Sequence, residues 1–274
     1  MTAGLLGMSA NLGVFVLSQL GTFRKVTPDS WRWLMLVGAL PAILGLVSLR
    51  FVPESPAWLS TRATEKAGKS RSPLAELFQP PLLRLTLIGI GLGAIPLIGA
   101  WGASKWMIPW ADKIGGATLP GYKATTQAYW AVGAALGSLL GGQLANLLGR
   151  RLTYFLISLD SMTLTAGIYV FLKPLEPAFL PCVFVQGFIS TLFFGWLPLY
   201  LPELFPTRVR ASGTGVSYNF GRFASAAGVL GAGALMKIFG GDFAKVGVIT
   251  SLIYALGMGI IWFAPDTTGK SLRD

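Results

Sequence analysis

Few of the 274 residues could do chemistry, and most of those that could are cations. Arg222 stands inside the apolar run 213–239, about 18 Å along a helix that starts near Arg210. That depth is close to the middle of a bilayer, where an arginine costs at least about 2.5–3.5 kcal/mol and so faces a partner or a wet cavity. Two readings stay open. Arg222 is a clamp for a substrate carboxylate or phosphate, which a guanidinium grips with two parallel hydrogen bonds, or it is a structural partner of Asp160 or of backbone carbonyls. Asp160 lies about 13 Å into its own apolar run, counted from Arg151. A carboxyl at that depth is a proton carrier or one end of a buried hydrogen bond. Arg150, Arg151, Glu203, Arg208 and Arg210 sit at the ends of apolar runs. There an ion pair can be made in one conformation and broken in another, or the cations can simply anchor the helix ends. Gln127, Trp130, Gln186, Trp196 and Asn219 complete the candidates, each able to bond a solute or a neighbouring helix.

Other chemistry is excluded by residues the chain does not have. There is no histidine, which removes imidazole acid–base catalysis, His-metal sites and Ser-His-Asp triads together. The one cysteine, Cys182, lies in an apolar run, so neither a disulfide framework nor a CxxC metal site exists. No cofactor or metal is implied, and an enzyme is not expected. The formal charge of +11 sits in short clusters between apolar runs, which is how membrane loops look and not how a nucleic-acid surface looks.

The elements that must position these residues are membrane helices. Charged residues make up 12% of the chain against roughly 25% in a soluble domain, too few to cover a water-soluble body. Eight segments are apolar for the ~20 residues a spanning helix needs: 3–23, 33–52, 82–101, 126–148, 152–172, 178–199, 213–239 and 243–264. The longest polar stretch, 53–81, holds Arg62, Lys66, Lys69 and Arg71 and is the one plausible linker between bundles. The larger share of the 22 basic residues falls after the second, fourth and sixth segments and in the tail, with Lys270 and Arg273. Both termini are therefore expected on the cytoplasmic side of a plasma or inner membrane. Trp101, Trp106 and Trp110, with Lys105, read as interfacial anchors more than as substrate-stacking residues. Gly133, Gly137 and Gly141 form a small-residue stripe suited to helix packing.

The chain repeats itself. Gly7-Met-Ser9-Ala-Asn11-Leu-Gly13 and Gly215-Val-Ser217-Tyr-Asn219-Phe-Gly221 share G-x-S-x-N-x-G, while Pro53-Glu54-Ser55 and Pro265-Asp266-Thr267 recur at nearly the same offset. Two homologous halves in parallel explain both pairs. The first two segments are then the last two of a first half, and four more helices are expected upstream of Met1. Arg222 has Val14 as its repeat counterpart.

Four motifs carry a family resemblance. Gly142-Gln-Leu-Ala-Asn146-Leu147-Leu-Gly149-Arg150-Arg151 resembles the G-x-x-x-D-R-x-G-R-R loop of the major facilitator superfamily, and Pro202-Glu203-Leu-Phe-Pro206-Thr207-Arg208-Val-Arg210-Ala-Ser-Gly213 its P-E-x-x-P-T-x-x-R-x-x-G segment. Pro53-Glu54-Ser55-Pro56-Ala57-Trp58-Leu59 and Pro265-Asp266-Thr267-Thr-Gly269-Lys270-Ser-Leu272 are similar to P-E-S-P-R-W-L and P-E-T-K-G-K-S-L of its sugar and metabolite porters. The resemblance implies an all-α major-facilitator fold whose eight helices correspond to helices five to twelve of twelve. Residues 1–52 would close the first bundle, 53–81 would be a cytoplasmic linker, and 82–274 would form the second bundle. It implies gating by Asn146, Arg150, Arg151, Glu203, Arg208 and Arg210, with Asn146 neutral where the family has Asp. It further implies a solute site between bundles, for which Gln127, Trp130, Gln186, Trp196, Asn219 and Arg222 are the candidates, with Asp160 the candidate for proton coupling on a helix the family places outside. The paired glutamines of glucose-type porters are absent from 82–110, and 202–213 is more similar to organic-acid and metabolite:proton symporters. A secondary transporter moving a small organic anion with protons is the expectation. The alternative is a truncated or receptor-like relative that does not transport.

Overall fold

A computed structural model of the protein describes residues 2–24, 26, 29–54 and 72–269. Among them all regular structure is helical: α1 (Thr2–Phe23), α2 (Arg32–Ala39), α3 (Pro41–Phe51), α4 (Pro73–Leu77), α5 (Leu82–Gly102), α6 (Met107–Gly115), α7 (Tyr122–Leu148), α8 (Arg150–Phe171), α9 (Phe179–Glu203), α10 (Arg210–Ile238), α11 (Phe243–Ser251) and α12 (Ile253–Ile260). Residues 55–59 of the Pro53 motif lie outside the described residues, as do Arg62, Lys66, Lys69, Arg71, Lys270 and Arg273.

Among the described residues seven runs are long and apolar enough to cross a membrane: Gly4–Phe23, Arg32–Phe51, Leu82–Gly115, Tyr122–Leu148, Arg150–Phe171, Phe179–Glu203 and Phe243–Phe263. The chain is an all-α, multi-pass membrane protein. The remaining expected segment, 213–239, forms the 29-residue α10, which is long enough, but its glycines, serines, Asn219 and Arg222 keep it below the apolarity of the other seven. Three spans are interrupted, at Leu40, at Ala103–Trp106 and at Leu252. Pro41 has no N–H to donate, so α2 passes into α3 through a helical Leu40.

The third span departs most from expectation. It does not stop at residue 101 but runs on to Gly115, through a break where Ala103 leaves helical geometry (φ −124°, ψ −67°) and residues Ser104–Trp106 form a 3₁₀ turn. The break keeps its backbone bonded, since Trp106 N–H donates to Ala103 O at 3.2 Å and Tyr169 OH donates to the same oxygen at 2.9 Å. The extension also corrects the reading of the tryptophans as one interfacial belt. Trp110 is buried against Tyr169 and Phe179, at ring distances of 5.3 and 5.8 Å, because its helix continues into the protein.

Glycine decides how closely the helices approach. A Cβ on Gly133, Gly137 or Gly141 of α7 would stand 2.1, 2.0 and 2.0 Å from the backbone oxygens of Phe184, Phe188 and Leu192 on α9. Gly187 and Gly195 answer from α9, against Trp130 O at 2.3 Å and Ser138 O at 2.4 Å. Such contacts supply the attraction between helices that lipid cannot supply through the hydrophobic effect. On the other flank of α7, Gly4 and Gly7 admit α1, and Asn11 Nδ2 donates to Ser138 Oγ at 3.1 Å. Gly93 and Gly221 bring α5 and α10 together in the same way. The helices α2 and α3 bury none of their residues, and Leu36, Leu44 and Leu49 present an apolar surface suited to lipid.

Gly137→Ala is expected to destabilise the protein by about 1–3 kcal/mol through overpacking, despite alanine's better helix propensity. Gly215→Ala, where nothing lies within 4 Å of the added methyl, should be neutral or stabilising. Thermal unfolding of both variants in detergent checks the pair; equal melting temperatures would contradict the packing argument.

Candidate functional site

The charged ends of α7, α8, α9 and the segment after α12 meet in one network. Gly149, at φ +86°, turns the chain between α7 and α8 in a conformation that costs glycine little. The turn delivers Arg150 to the first position of α8. Its guanidinium donates to Glu203 through Nε (3.1 Å) and Nη2 (2.9 Å), and through Nη1 to Ala145 O (3.0 Å) and Asn146 Oδ1 (2.8 Å). The two side chains of the pair are only 9% and 11% exposed. Thr267 Oγ1 also donates to Glu203, and Thr268 Oγ1 accepts the otherwise unpaired N–H of Arg150 at 3.0 Å, so the tail caps α8. Arg151 donates through Nε and Nη2 to Ala264 O, the last turn after α12. Trp196 Nε1 donates to Arg150 O at 3.1 Å and its ring stacks on Tyr200, whose hydroxyl donates to Pro265 O.

The expected gating residues thus divide. Asn146, Arg150, Arg151 and Glu203 are drawn together, all within helices of 82–274 and the segment that follows α12. Arg208 pairs instead with Glu76 of α4 and is 67% exposed, and Arg210 Nε donates to Phe205 O. Trp196 belongs to this network and the buried core around it. Asn146 accepts a hydrogen bond as the family's Asp would, but it brings no charge to Arg150.

A second site is a cavity of about 490 Å³ between α1, α5, α7, α9 and α10. Its polar and aromatic lining includes Asn11, Trp101, Lys105, Trp130, Tyr218 and Arg222, and no carboxylate lines it. The Arg222 guanidinium lies 5.3 Å from the Tyr218 ring. Lys105 Nζ lies 4.2 Å from the Trp101 ring and 4.5 Å from that of Trp130. Trp130 is held in place because its Nε1 donates to Gln186 Oε1 at 3.0 Å. The other end of Gln186 donates to Ser104 Oγ and to Thr165 Oγ1 (3.1 Å), and Ser104 shares a hydrogen bond with Tyr254 OH at 3.3 Å. A wall with two cations and no anion sets a positive field where the surrounding protein and lipid screen it little.

Of the expected solute ligands, Arg222 and Trp130 line this cavity. Gln186 of α9 is fully buried and bonds side chains of α7, α8 and the Ser104–Trp106 turn, and it is not among the lining residues. Asn219 is exposed on another flank of α10, beside Leu74 and Phe78, and donates to Gly215 O of its own helix. Gln127 is half-buried, with its Nε2 buried and unpartnered among the described residues. Asp160 is exposed on the face of α8 that turns away from Tyr154, Ile157 and Ser161, and it does not line the cavity. Lys105, Asn11, Tyr218, Thr191 and Ser225 are polar lining residues that were not among the expected ligands. Lys105 had a signal: it lies between Trp101 and the further apolar stretch 107–111, so the span could be read through it.

Residues 1–228 match the family model described as Major Facilitator Superfamily. The chain is 30% identical over 210 residues to the "Cis,cis-muconate transport protein" of Acinetobacter baylyi, covering 73% of this chain and 49% of that relative. It is 27% identical over 248 residues to the "Probable 4-methylmuconolactone transporter" of Cupriavidus pinatubonensis, covering 89% of this chain and 56% of that relative. The chain spans about half the length of these curated relatives.

Removing one partner of a buried ion pair leaves the other uncompensated. Glu203→Gln is expected to cost about 3 kcal/mol of unfolding free energy. Arg150→Met combined with Glu203→Gln should recover part of that loss, and Arg208→Ala should stay within about 0.5 kcal/mol of wild type. A double-mutant cycle on equilibrium unfolding in mixed micelles reads all three.

Proposed function

The chain belongs to the major facilitator superfamily, and from that premise we propose that it works as a secondary transporter of a small organic anion, moved by alternating access with protons as the coupling ion. The observation that carries this reading is the cavity, which holds two cations, aromatic walls and no carboxylate. Arg222 is the clamp: a guanidinium over a tyrosine ring keeps its hydrogen-bonding fork free to take a carboxylate. The name of one relative agrees in chemistry, since cis,cis-muconate is a small dicarboxylate. An uncharged sugar would leave both cations without a counter-charge in a poorly hydrated site, which disfavours it as the solute.

The network around Arg150 and Glu203 has the complementary part. It binds the ends of α7, α8 and α9 to the segment after α12, so these helices move as one body. Rocking of a rigid body against a second one opens the cavity to alternate sides. The basic residues at that end place it, in this proposal, on the cytoplasmic side of the cell membrane. Proton coupling rests on the similarity of 202–213 to metabolite:proton symporters; Asp160 is exposed on α8 and is not among the residues that line the cavity.

Cells producing the protein should take up cis,cis-muconate, and Arg222→Ala should reduce that uptake roughly thirtyfold, the equivalent of about 2 kcal/mol of charge-assisted hydrogen bonding. Arg222→Lys should retain part of it. Equal uptake by wild type and Arg222→Ala would overturn the clamp. Asp160→Asn is expected to leave the pH dependence of uptake as in wild type.

A further inference from the structure

We propose that α1 and α7 share a two-position latch. Asn11 on Ser138 closes one end of their contact, Gln127 on Ser18 closes the other, and the two hydrogen bonds are made in alternation. The proposal rests on the alternating-access reading above and assigns side chains that choose between its states.

The spacing of residues sets the seam. Gly4, Gly7, Asn11, Val14 and Ser18 recur at steps of three and four, which puts them on one face of α1. Gln127, Ala131, Ala134 and Ser138 do the same on α7. The helices meet antiparallel. A Cβ on Gly4 would stand 2.8 Å from Leu139 O, and one on Gly7 would stand 3.0 Å from Ser138 Cβ. Asn11 Nδ2 then reaches Ser138 Oγ at 3.1 Å and lies 3.5 Å from Ala134 O. Seven residues beyond Asn11 is Ser18, which is again buried, and seven before Ala134 is Gln127. The register therefore sets Ser18 opposite Gln127.

The two positions are chemically alike, a carboxamide N–H facing a serine hydroxyl, with donor and acceptor exchanged between the helices. The structure holds one of them. Ser18 Oγ donates to Val14 O at 2.8 Å, which leaves its lone pairs to accept. Gln127 Nε2 is buried and, among the described residues, has no partner. A buried N–H without an acceptor costs free energy that pairing returns. A tilt that closes the Gln127 end supplies the acceptor and draws Asn11 away from Ser138. One neutral hydrogen bond replaces another, so neither state wins by a wide margin, as a carrier that visits both requires. Ala10, Asn11 and Val14 of α1 and Trp130 of α7 line the cavity, so parting either end of the seam opens the cavity toward that end.

The test is double electron–electron resonance on the purified full chain in nanodiscs, in a Cys182→Ala background. Spin labels on Leu6→Cys with Leu147→Cys report the Asn11 end, and labels on Phe23→Cys with Leu119→Cys report the Gln127 end; all four side chains are exposed. Wild type is expected to show two distances at each end, short at one where the other is long. Asn11→Leu and Ser138→Ala should each shift the ratio about fivefold toward a closed Gln127 end, the worth of one neutral hydrogen bond. Gln127→Leu and Ser18→Ala should shift it about as far the other way. Asn11→Leu combined with Gln127→Leu should return the ratio to near the wild-type value, which mere loosening of the seam would not do. Ratios left unchanged, or moved the same way by both kinds of variant, overturn the proposal. If that happens while Arg222-dependent muconate uptake is present, the latch falls and the transporter stands; if that uptake is also absent, both fall.

Discussion

The approach of α7 to α9 is the constraint on which the rest of the molecule depends. At three successive turns of α7 a side chain of even one carbon would collide with the backbone oxygens of α9. With glycine at those turns, the two backbones come close enough for Trp130 to reach Gln186, and for Ser138 to present its hydroxyl to Asn11 of α1 on the other flank. At the far end of the same pair, Ala145 and Asn146 of α7 and Glu203 of α9 come within reach of one guanidinium. The cavity wall, the seat of α1 and the charged network are all consequences of one interhelical distance.

In the hydrocarbon of a bilayer no water serves as a default partner, so a polar side chain is either satisfied by the protein or faces a cavity. The two sites separate along that line. Around Arg150 every strong group has partners: the guanidinium has Glu203, Asn146 and Ala145 O, its own N–H has Thr268, and its carbonyl has Trp196. Such an assembly stiffens the helices it joins. In the cavity, Lys105 and Arg222 rest on aromatic faces, which hold a charge without occupying its hydrogen bonds. A rigid end and an unsatisfied middle are what a moving binding site requires.

The internal repeat shows how far equal sequence goes toward equal role. Asn11 and Asn219 occupy the same place in G-x-S-x-N-x-G, and each bonds the carbonyl four residues before it on its own helix. Asn11 also donates across to Ser138 and borders the cavity, because Gly7 and Gly4 let α7 come alongside. Asn219 faces a different flank, beside Leu74 and Phe78. The local geometry repeats and the neighbours do not.

What the sequence determined by itself are the properties that arise from neighbours in the chain. Apolar runs of spanning length, the glycine stripe at every fourth residue, the start of α10 at Arg210, and the family motifs all depend on residues within a turn or two of each other, so composition and periodicity reveal them. The network of Arg150 with Glu203 was legible only as a motif. Which polar groups face the cavity was decided by the tertiary structure alone. Gln186 and Trp196 are drawn into hydrogen bonds with residues far away in the chain, and Asp160 is turned outward by the phase of α8. Lys105 borders the cavity from a break at Ala103 that is held by the local Trp106 N–H to Ala103 O bond and by distant partners, Tyr169, Gln186 and Tyr254. A backbone break inside a membrane survives only where other helices satisfy it, and nothing in the local sequence states where those helices stand.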